Sequence, residues 1–226
     1  MNAPANTVMP PQTNSSRMVI VLGLVAFISG LLIVTAYEST RETIATYKQQ
    51  QLEQAVRQVI PGADTIQVYG IGDNKLHPAT AADKLRFYAG YDKDGRLLGF
   101  AGEASAPGYA DMIRLLYGYS PACQCITGIA VLENHDTPGF GDKIDRDPQF
   151  LANFKALDAR LSADGSQVAN PIVTVKHGTK HQPWQIDAIS GATISSTAVG
   201  KALRNSTERM LPTLMKNLDQ LRTQQR

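Results

Sequence analysis

The stretch from Met18 to Ala36 constrains this chain most, because its nineteen residues carry no charge and more than half are Val, Leu or Ile. About 20 such residues are needed for a helix to cross a bilayer. A cleavable signal peptide is the alternative, since Val34-Thr35-Ala36 resembles a cleavage site, although its apolar core is normally only ~7–15 residues long. We therefore predict a transmembrane helix over 18–36.

The segments on either side of this helix differ in character. Residues 1–17 are rich in Pro, Asn, Thr and Ser and show no periodicity, which predicts a disordered tail. Residues 37–62 are more polar, with apolar residues at helical spacing up to Pro61-Gly62, which predicts a membrane-proximal helix. This helix is either a stalk or a helix packed on the following domain, and we favour packing. Positive charges on the two sides are too few to orient the chain.

Composition excludes several classes of protein. The chain has 226 residues, 43% of them hydrophobic, which is enough for one folded domain. Its 22 Lys and Arg against 20 Asp and Glu include no basic run, so nucleic-acid binding is not supported. The four histidines and two cysteines lack metal-ligand spacing, so no metal site is predicted. Cys123 and Cys125 are a disulfide or redox-labile pair, two inert thiols or, as a third alternative, ligands of a metal or cluster whose other ligands lie elsewhere.

The region 63–212 reads as one α+β domain with a twisted, largely antiparallel sheet flanked by helices. Asp94-Gly95 predicts a hairpin turn between strands at 84–92 and 96–104. Further strands are predicted at 126–133 and 172–175, and helices from Pro148 to Leu161 and from Ile194 to Leu211. Pro212 is expected to break the last helix, so that residues 213–226 form a helical tail.

The segment from Asp187 to Thr193 leads into the last predicted helix. Gly191 at the turn lets the backbone pass close to a ligand, and Thr193 presents a hydroxyl at the helix start. Unpaired N–H groups and the helix dipole favour a phosphate there. The simpler interpretation is an ordinary helix N-cap.

The same string resembles the flavinylation motif of the FMN-binding domain family, in which Asp187, Ser190, Gly191, Ala192 and Thr193 all fit. In that family a separate flavin transferase joins the final Thr to the phosphate of FMN through a phosphoester bond. The resemblance thus implies covalent FMN on Thr193. It is strongest to the G subunits of Rnf-type electron transport complexes and to the C subunits of sodium-pumping NADH:quinone reductases.

A second segment resembles another motif of this family, His-x-Glu/Asp-Thr-Pro-Gly-aliphatic-Gly, with Phe where Leu is more usual. Its glycines and proline make a rigid loop, and its polar side chains offer donors to a flavin. Gly108 and Tyr109 resemble a Gly-Tyr segment beside the flavin. The cofactor-binding residues that the resemblance implies in these two segments are Gly108, Tyr109, His135, Thr137, Pro138, Gly139, Phe140, Gly141 and Lys143.

The resemblance also implies a function. It is that of an electron-transfer subunit in an ion-translocating ferredoxin:NAD oxidoreductase complex, held in the bacterial inner membrane with the FMN domain on the periplasmic side. Partners would be the other membrane and redox subunits, a flavin transferase and membrane lipid, with no nucleic acid. No catalytic triad is evident, so independent enzyme activity is not predicted. The alternatives are a periplasmic ligand-binding or sensory module without flavin and a structural stabiliser of a membrane complex.

Overall fold

A computed structural model describes residues 15–72, 75–80, 83 and 85–223 of the chain. Most of the predicted disordered tail, residues 1–14, lies outside the described residues, as do the last three residues of the predicted C-terminal tail. The chain forms two compact units that divide between Gln49 and Gln50.

The first helix, α1, runs without interruption from Ser15 to Val59. It contains the whole apolar run and is long and apolar enough to cross a membrane. The helix begins before the apolar run, so Ser15 to Arg17 are helical and the prediction of a disordered tail is wrong for them. No Gly or Pro interrupts the segment after the apolar run, and a helix once begun extends at little cost. The segment predicted as a separate membrane-proximal helix therefore belongs to the same helix as the apolar run.

Seven strands form one antiparallel sheet. The strands are β1 (Thr65–Gly72), β2 (Lys75–Pro78), β3 (Arg86–Tyr91), β4 (Leu97–Pro107), β5 (Met112–Ser120), β6 (Cys125–Glu133) and β7 (Leu157–Asp158). Their order across the sheet is β2-β1-β3-β4-β5-β6-β7. The predicted hairpin is confirmed as β3 and β4, with Gly95 at φ 75° in the turn between them. The predicted strand at 126–133 is confirmed as β6. Strands β1, β2 and β5 were not predicted.

The helix predicted from Pro148 to Leu161 is much shorter than expected. Helix α2 covers only Pro148–Ala152, and Asp147 caps it by accepting hydrogen bonds from the backbone N–H groups of Gln149 (2.9 Å) and Phe150 (3.0 Å). The chain then leaves the helix because Leu157 and Asp158 pair with β6 as strand β7. Tertiary pairing thus outweighs the helical spacing of the apolar residues.

The C-terminal part contains a second, two-stranded parallel sheet and two helices. These elements are β8 (Val173–Val175), β9 (Gln185–Asp187), α3 (Thr193–Lys216) and α4 (Leu218–Thr223). The prediction that Pro212 ends the helix is wrong, because α3 continues through it. A proline costs the helix one hydrogen bond, but Leu211 and Leu214 beside it are fully buried, and that burial holds the last turn in place.

The large sheet is covered on both faces within the second unit. Helix α3 lies on one face, where the Ser206 hydroxyl contacts the Tyr117 hydroxyl at 3.1 Å and donates to the Glu103 carbonyl at 3.0 Å. The last turns of α1 lie on the other face. There Ala55, Val56 and Val59 are buried in a cluster with four sheet residues, Tyr88, Ala101, Leu116 and Ala130. The end of α1 is therefore packed on the domain, as we favoured from the sequence.

Candidate functional site

The N-terminus of α3 is open to a ligand. Gly191 adopts φ +83°, a conformation that side chains disfavour, and thereby turns the chain into the helix. The N-cap is Ala192, which makes no side-chain capping bond, and Thr193 is the first helical residue. The first N–H groups of a helix have no acceptor within it. This helix end therefore presents free donors and a positive dipole end to an anion.

The loop from Asn134 to Gly141 forms the opposite side of the site. The Thr137 carbonyl accepts from the N–H groups of Phe140 (3.2 Å) and Gly141 (3.1 Å), which closes the loop on itself. The Asn134 side chain bridges it, donating to the Gly141 carbonyl at 3.1 Å and accepting from the Asp136 N–H at 3.0 Å. A Cβ on Gly141 would collide with Asp136 and lie 2.8 Å from the Ser195 hydroxyl, so close packing requires glycine here.

Asp136 joins three segments of the site. Its side chain accepts hydrogen bonds from the N–H groups of Tyr109 (2.9 Å) and Ala110 (2.8 Å) and from the Ser195 hydroxyl (2.5 Å). The residue is only 4% exposed. Burial alone would raise the pKa of this carboxyl, but the hydrogen bonds from Ala110, Ser195 and Tyr109 outweigh burial and lower the pKa. A buried carboxylate therefore ties the Gly108-Tyr109 segment and the loop to the first turn of α3.

These segments enclose a cavity of about 370 Å³. It is lined by Tyr109, Asp136, Thr137, Phe140, Gly141, Gly191, Ala192, Thr193, Ile194 and Ser195. Three apolar side chains on its rim, Tyr109, Phe140 and Ile194, are each more than half exposed. The volume falls within the ~300–1,000 Å³ of small-molecule sites. Apolar side chains beside an uncapped helix N-terminus suit a ligand with a flat ring and a phosphate, so the residues present fit FMN.

A second cavity of about 260 Å³ is lined in part by the residues that directly precede Gly191. Lys143, His177, Asp187 and Ser190 are among the residues that line it. Asp187 accepts from the Gly178 N–H at 2.7 Å, and its other oxygen lies 3.5 Å from Nδ1 of His177. Asp187 and Ser190 thus line a different cavity from Thr193.

The predicted site residues therefore fall into three groups. The first cavity brings together Tyr109, Thr137, Phe140, Gly141, Gly191, Ala192 and Thr193. Lys143, Asp187 and Ser190 line the second cavity, with the Lys143 ammonium 5.9 Å from the centre of the Phe140 ring. Gly108, His135, Pro138 and Gly139 line neither of these cavities.

His135 and Gly108 each have a position that explains why they lie outside both cavities. Nδ1 of the exposed His135 lies 3.7 Å from a carboxylate oxygen of Asp111. His135 also directly precedes the carboxylate, whereas the motif has one residue between them, so Asn134 occupies the first motif position. Gly108 lies behind the site, where a Cβ would approach Asp136 to 2.9 Å.

Three residues of the first cavity were missed by sequence reasoning, namely Asp136, Ile194 and Ser195. Asp136 could have been found, because it stands at the carboxylate position of the motif. Ser195 and Ile194 follow Thr193 in the first helical turn, but nothing in their spacing distinguishes them from ordinary helix residues.

Comparisons with known proteins identify the domain that contains both cavities. Residues 108–208, which include both cavities and all the motif positions, match the family described as FMN-binding domain. The crystal structure of NqrC from Shewanella oneidensis superposes with a TM-score of 0.59 at 19% identity, covering 78% of this chain and 98% of that chain. The C subunit of the Na(+)-translocating NADH-quinone reductase from Parabacteroides distasonis gives a TM-score of 0.53 at 20% identity, over 69% of this chain and 78% of its own. These two structures share the fold.

Relatives with higher identity extend along most of the chain. The G subunit of the ion-translocating oxidoreductase complex from Haemophilus influenzae is 31% identical over 219 residues, covering 93% of this chain and 96% of its own length. The G subunit from Aliivibrio fischeri is 31% identical over 206 residues, covering 86% of this chain and 89% of its own length. The G subunit from Methanosarcina acetivorans is 29% identical over 195 residues, covering 85% of this chain and 93% of its own length. The chain therefore belongs to the family of G subunits of ion-translocating oxidoreductase complexes, and carries that family's FMN-binding domain.

Proposed function

We propose that this chain is a membrane-anchored electron-transfer subunit of an ion-translocating ferredoxin:NAD oxidoreductase complex, with FMN bound covalently to Thr193. The names of the relatives and the FMN-binding domain support this role. Bound FMN supplies the transfer of electrons, while the protein supplies attachment, orientation and surroundings. The observation that carries the proposal is an exposed threonine hydroxyl at an uncapped helix N-terminus, inside a cavity with an apolar rim.

Thr193 is the hydroxyl that the geometry favours over its neighbours. Its side chain is exposed, whereas Ser195 is 3% exposed and donates to Asp136, and Ser196 is fully buried and donates to the Ala192 carbonyl at 2.9 Å. Ser190 is exposed but lines the second cavity. Modification of Ser195 or Ser196 would first require the start of α3 to open, while Thr193 can be modified on the folded protein.

The attachment would be a phosphoryl transfer that a separate flavin transferase catalyses. The Thr193 oxygen would bond to the flavin-side phosphorus of a flavin dinucleotide and would lose its proton to a base of the transferase. The pyrophosphate bond of the donor would break, and a nucleoside monophosphate would leave. The N–H donors and the dipole at the start of α3 would stabilise the negative charge of the resulting phosphodiester. This step involves no oxidation or reduction.

The side chains around the first cavity would then hold the cofactor. Tyr109, Phe140 and Ile194 present apolar surface that would contact the ring and exclude water from part of it. Asp136 ties the Tyr109 segment to the start of α3, and so would keep the two sides of the site in place around the cofactor. Lys143, beside the Phe140 ring, is our candidate for a positive charge that stabilises the reduced cofactor.

The location and partners follow from the same proposal. Helix α1 anchors the chain in the lipid of the bacterial inner membrane, and the FMN domain lies on the periplasmic side. Only Arg17 precedes the apolar run, and Arg41 and Lys48 follow it, so charge does not set the orientation and the family resemblance supports it. The partners are the other membrane and redox subunits of the complex, together with the transferase.

Ultraviolet fluorescence of the denatured chain on a gel tests this function against the alternatives. Denaturation releases a noncovalent flavin, so a band that stays fluorescent identifies a covalent flavin. We expect fluorescence from the chain purified from its own membranes. A sensory module or a stabiliser without flavin would give a dark band, and a dark band would contradict the proposal.

A further inference from the structure

Cys123 and Cys125 form a disulfide at the turn between β5 and β6. We infer that this disulfide is a site of reversible thiol–disulfide exchange with a dithiol reductant, attacked at the sulfur of Cys123, and that it controls the link between this turn and β7. This site is separate from the flavin cavity. Four observations carry the inference.

The first observation is the size of the loop that the disulfide closes. The two cysteines are two residues apart in the sequence. A disulfide stabilises a fold mainly by restricting the unfolded chain, and this restriction grows with the number of residues in the loop. A loop of three residues gains little in this way, so stabilising the fold is a weak reason for this disulfide.

The second observation is the difference in solvent exposure between Cys123 and Cys125. Cys123 is exposed at the turn, whereas Cys125 is 6% exposed and begins strand β6. Thiolate attack requires access to the sulfur that is attacked. An incoming thiolate therefore reaches Cys123, and Cys125 is the leaving group.

The third observation is the backbone of the residue between them. Gln124 has φ 52°, and among the described residues it is the only one other than glycine with positive φ. That conformation is unfavourable for a side chain with a Cβ. The disulfide ring helps to hold Gln124 in it, so opening the ring allows this residue to relax.

The fourth observation shows what such relaxation would change. The Gln124 carbonyl accepts from the Ala159 N–H at 3.1 Å, and its side-chain oxygen accepts from the Leu161 N–H at 3.3 Å. Both bonds attach the segment after β7 to the turn. Strand β7 itself is only two residues long and pairs with Cys125 and Ile126. A change at Gln124 would therefore loosen the edge of the sheet.

The exchange balances as a two-electron reaction. A thiolate of the dithiol reductant attacks the Cys123 sulfur, the Cys123–Cys125 bond breaks, and Cys125 leaves as a thiolate that takes a proton. The second thiol of the reductant then attacks the reductant sulfur that is bonded to Cys123 in the mixed disulfide, and Cys123 is released as a thiol. The reductant ends as a disulfide, and two electrons and two protons have passed to the cysteine pair.

The flavin is not the reductant in this reaction. The pair lies at the turn of the β5–β6 hairpin, whereas Tyr109 and Asp136 lie next to the opposite end of the same two strands. Each strand has nine residues, which at ~3.3 Å per residue separates the two sites by about 30 Å.

The first experiment measures reduction of the full-length protein in detergent. The protein is incubated with dithiothreitol without denaturant, quenched with acid and alkylated with a mass tag, while Trp184 fluorescence reports on folding. We expect both cysteines to be tagged at a rate within about tenfold of that in urea, while the emission stays distinct from that of the unfolded chain. Tagging that occurs only at the rate of global unfolding would show a structural disulfide and overturn the inference.

The second experiment identifies the attacked sulfur. Cys125→Ser leaves Cys123 free, and Cys123→Ser leaves Cys125 free. With a disulfide reagent, we expect the first variant to react at least about tenfold faster than the second. Equal rates, or faster reaction of Cys125, would contradict the assignment.

The third experiment tests the link to β7 on the wild-type protein, so it does not depend on how the variants fold. Hydrogen exchange is compared between the oxidised and the reduced protein. We expect the amides of Ala159 and Leu161 to exchange at least about tenfold faster after reduction, while amides in the centre of β4 do not change. Unchanged exchange at Ala159 and Leu161 would contradict the control of this link.

Discussion

Asp136 offers the sharpest test of how the site is held together. The variants Asp136→Asn and Asp136→Ala change the same buried carboxylate to different extents. An asparagine oxygen can still accept from the N–H groups of Tyr109 and Ala110, which both donate to one oxygen of Asp136. It loses the negative charge and presents an amide to the hydroxyl of Ser195. Alanine removes all three acceptor contacts.

The structure gives the size of the expected effects. Hydrogen bonds to a charged group contribute about 1.5–3 kcal/mol each, and a buried donor left unpaired costs about 1–3 kcal/mol. Tyr109 is largely exposed, so water can replace part of its bond. We therefore expect losses in the free energy of unfolding of about 3–5 kcal/mol for Asp136→Ala. For Asp136→Asn we expect about 1–2 kcal/mol.

Urea unfolding of the full chain in detergent, followed by the fluorescence of Trp184, the single tryptophan, measures these losses. Asp111→Asn is the matched control, because it removes a charge from the same region at a side chain that is 63% exposed. We expect the control to change stability by less than about 0.5 kcal/mol. Equal losses for Asp136→Asn and Asp111→Asn would refute the role of Asp136.

The pH dependence provides an independent check. The pKa of Asp136 is lowered in the folded protein, chiefly because hydrogen bonds outweigh the opposing effect of burial. Its stabilisation is therefore present above the unfolded pKa of about 3.9 and is lost as pH falls through the lower folded-state pKa. The difference in unfolding free energy between the wild type and Asp136→Asn should shrink as pH falls below about 4. A constant difference down to pH 2 would contradict the ionised state.

Three further predictions concern other parts of the chain. Gly141→Ala should lower the free energy of unfolding by about 1–3 kcal/mol in urea, because its Cβ meets Asp136, while Gly128→Ala, with open space, should have little effect. Gly139 has φ +82°, which valine disfavours, so Gly139→Val should change the shape of the loop. We expect this change to shift the flavin potential in a redox titration and to leave the flavin attached. An unchanged potential would count against contact of this loop with the flavin. The mass of the membrane-extracted protein should include residues 18–36, and a start near Tyr37 would show that they form a signal peptide.

The parts of the fold that were predictable have strong local signals. The apolar run, the Asp94-Gly95 turn and the glycine before α3 each specify a structure within a few residues. Strand β5 was missed because its residues do not alternate. Leu115 and Tyr117 face the core beneath α3, while Leu116 is buried on the opposite face with the end of α1. A strand covered on both faces has no period of two.

The motifs named seven of the residues that line the first cavity, but they did not indicate the contacts that join them. The helix start at Thr193 follows from the glycine and the apolar spacing around it. The bonds of Asp136 to Tyr109 and Ser195 span 27 and 59 residues of sequence, so no local pattern indicates them. Asp187 lines the second cavity and not the first, where its contacts with Gly178 and His177 are likewise not indicated by any local pattern.

Peptide mass spectrometry of the membrane-purified chain tests the central claim most directly. The peptide that contains Thr193 should carry a gain of ~438 Da, the mass of FMN minus water, with fragment ions that place it on Thr193. Thr193→Ala should remove this gain from a protein that still unfolds at the wild-type urea concentration, and Thr193→Ser should retain part of it because the hydroxyl persists. An FMN adduct on Ser190, Ser195, Ser196 or Thr197, with none on Thr193, would contradict the account.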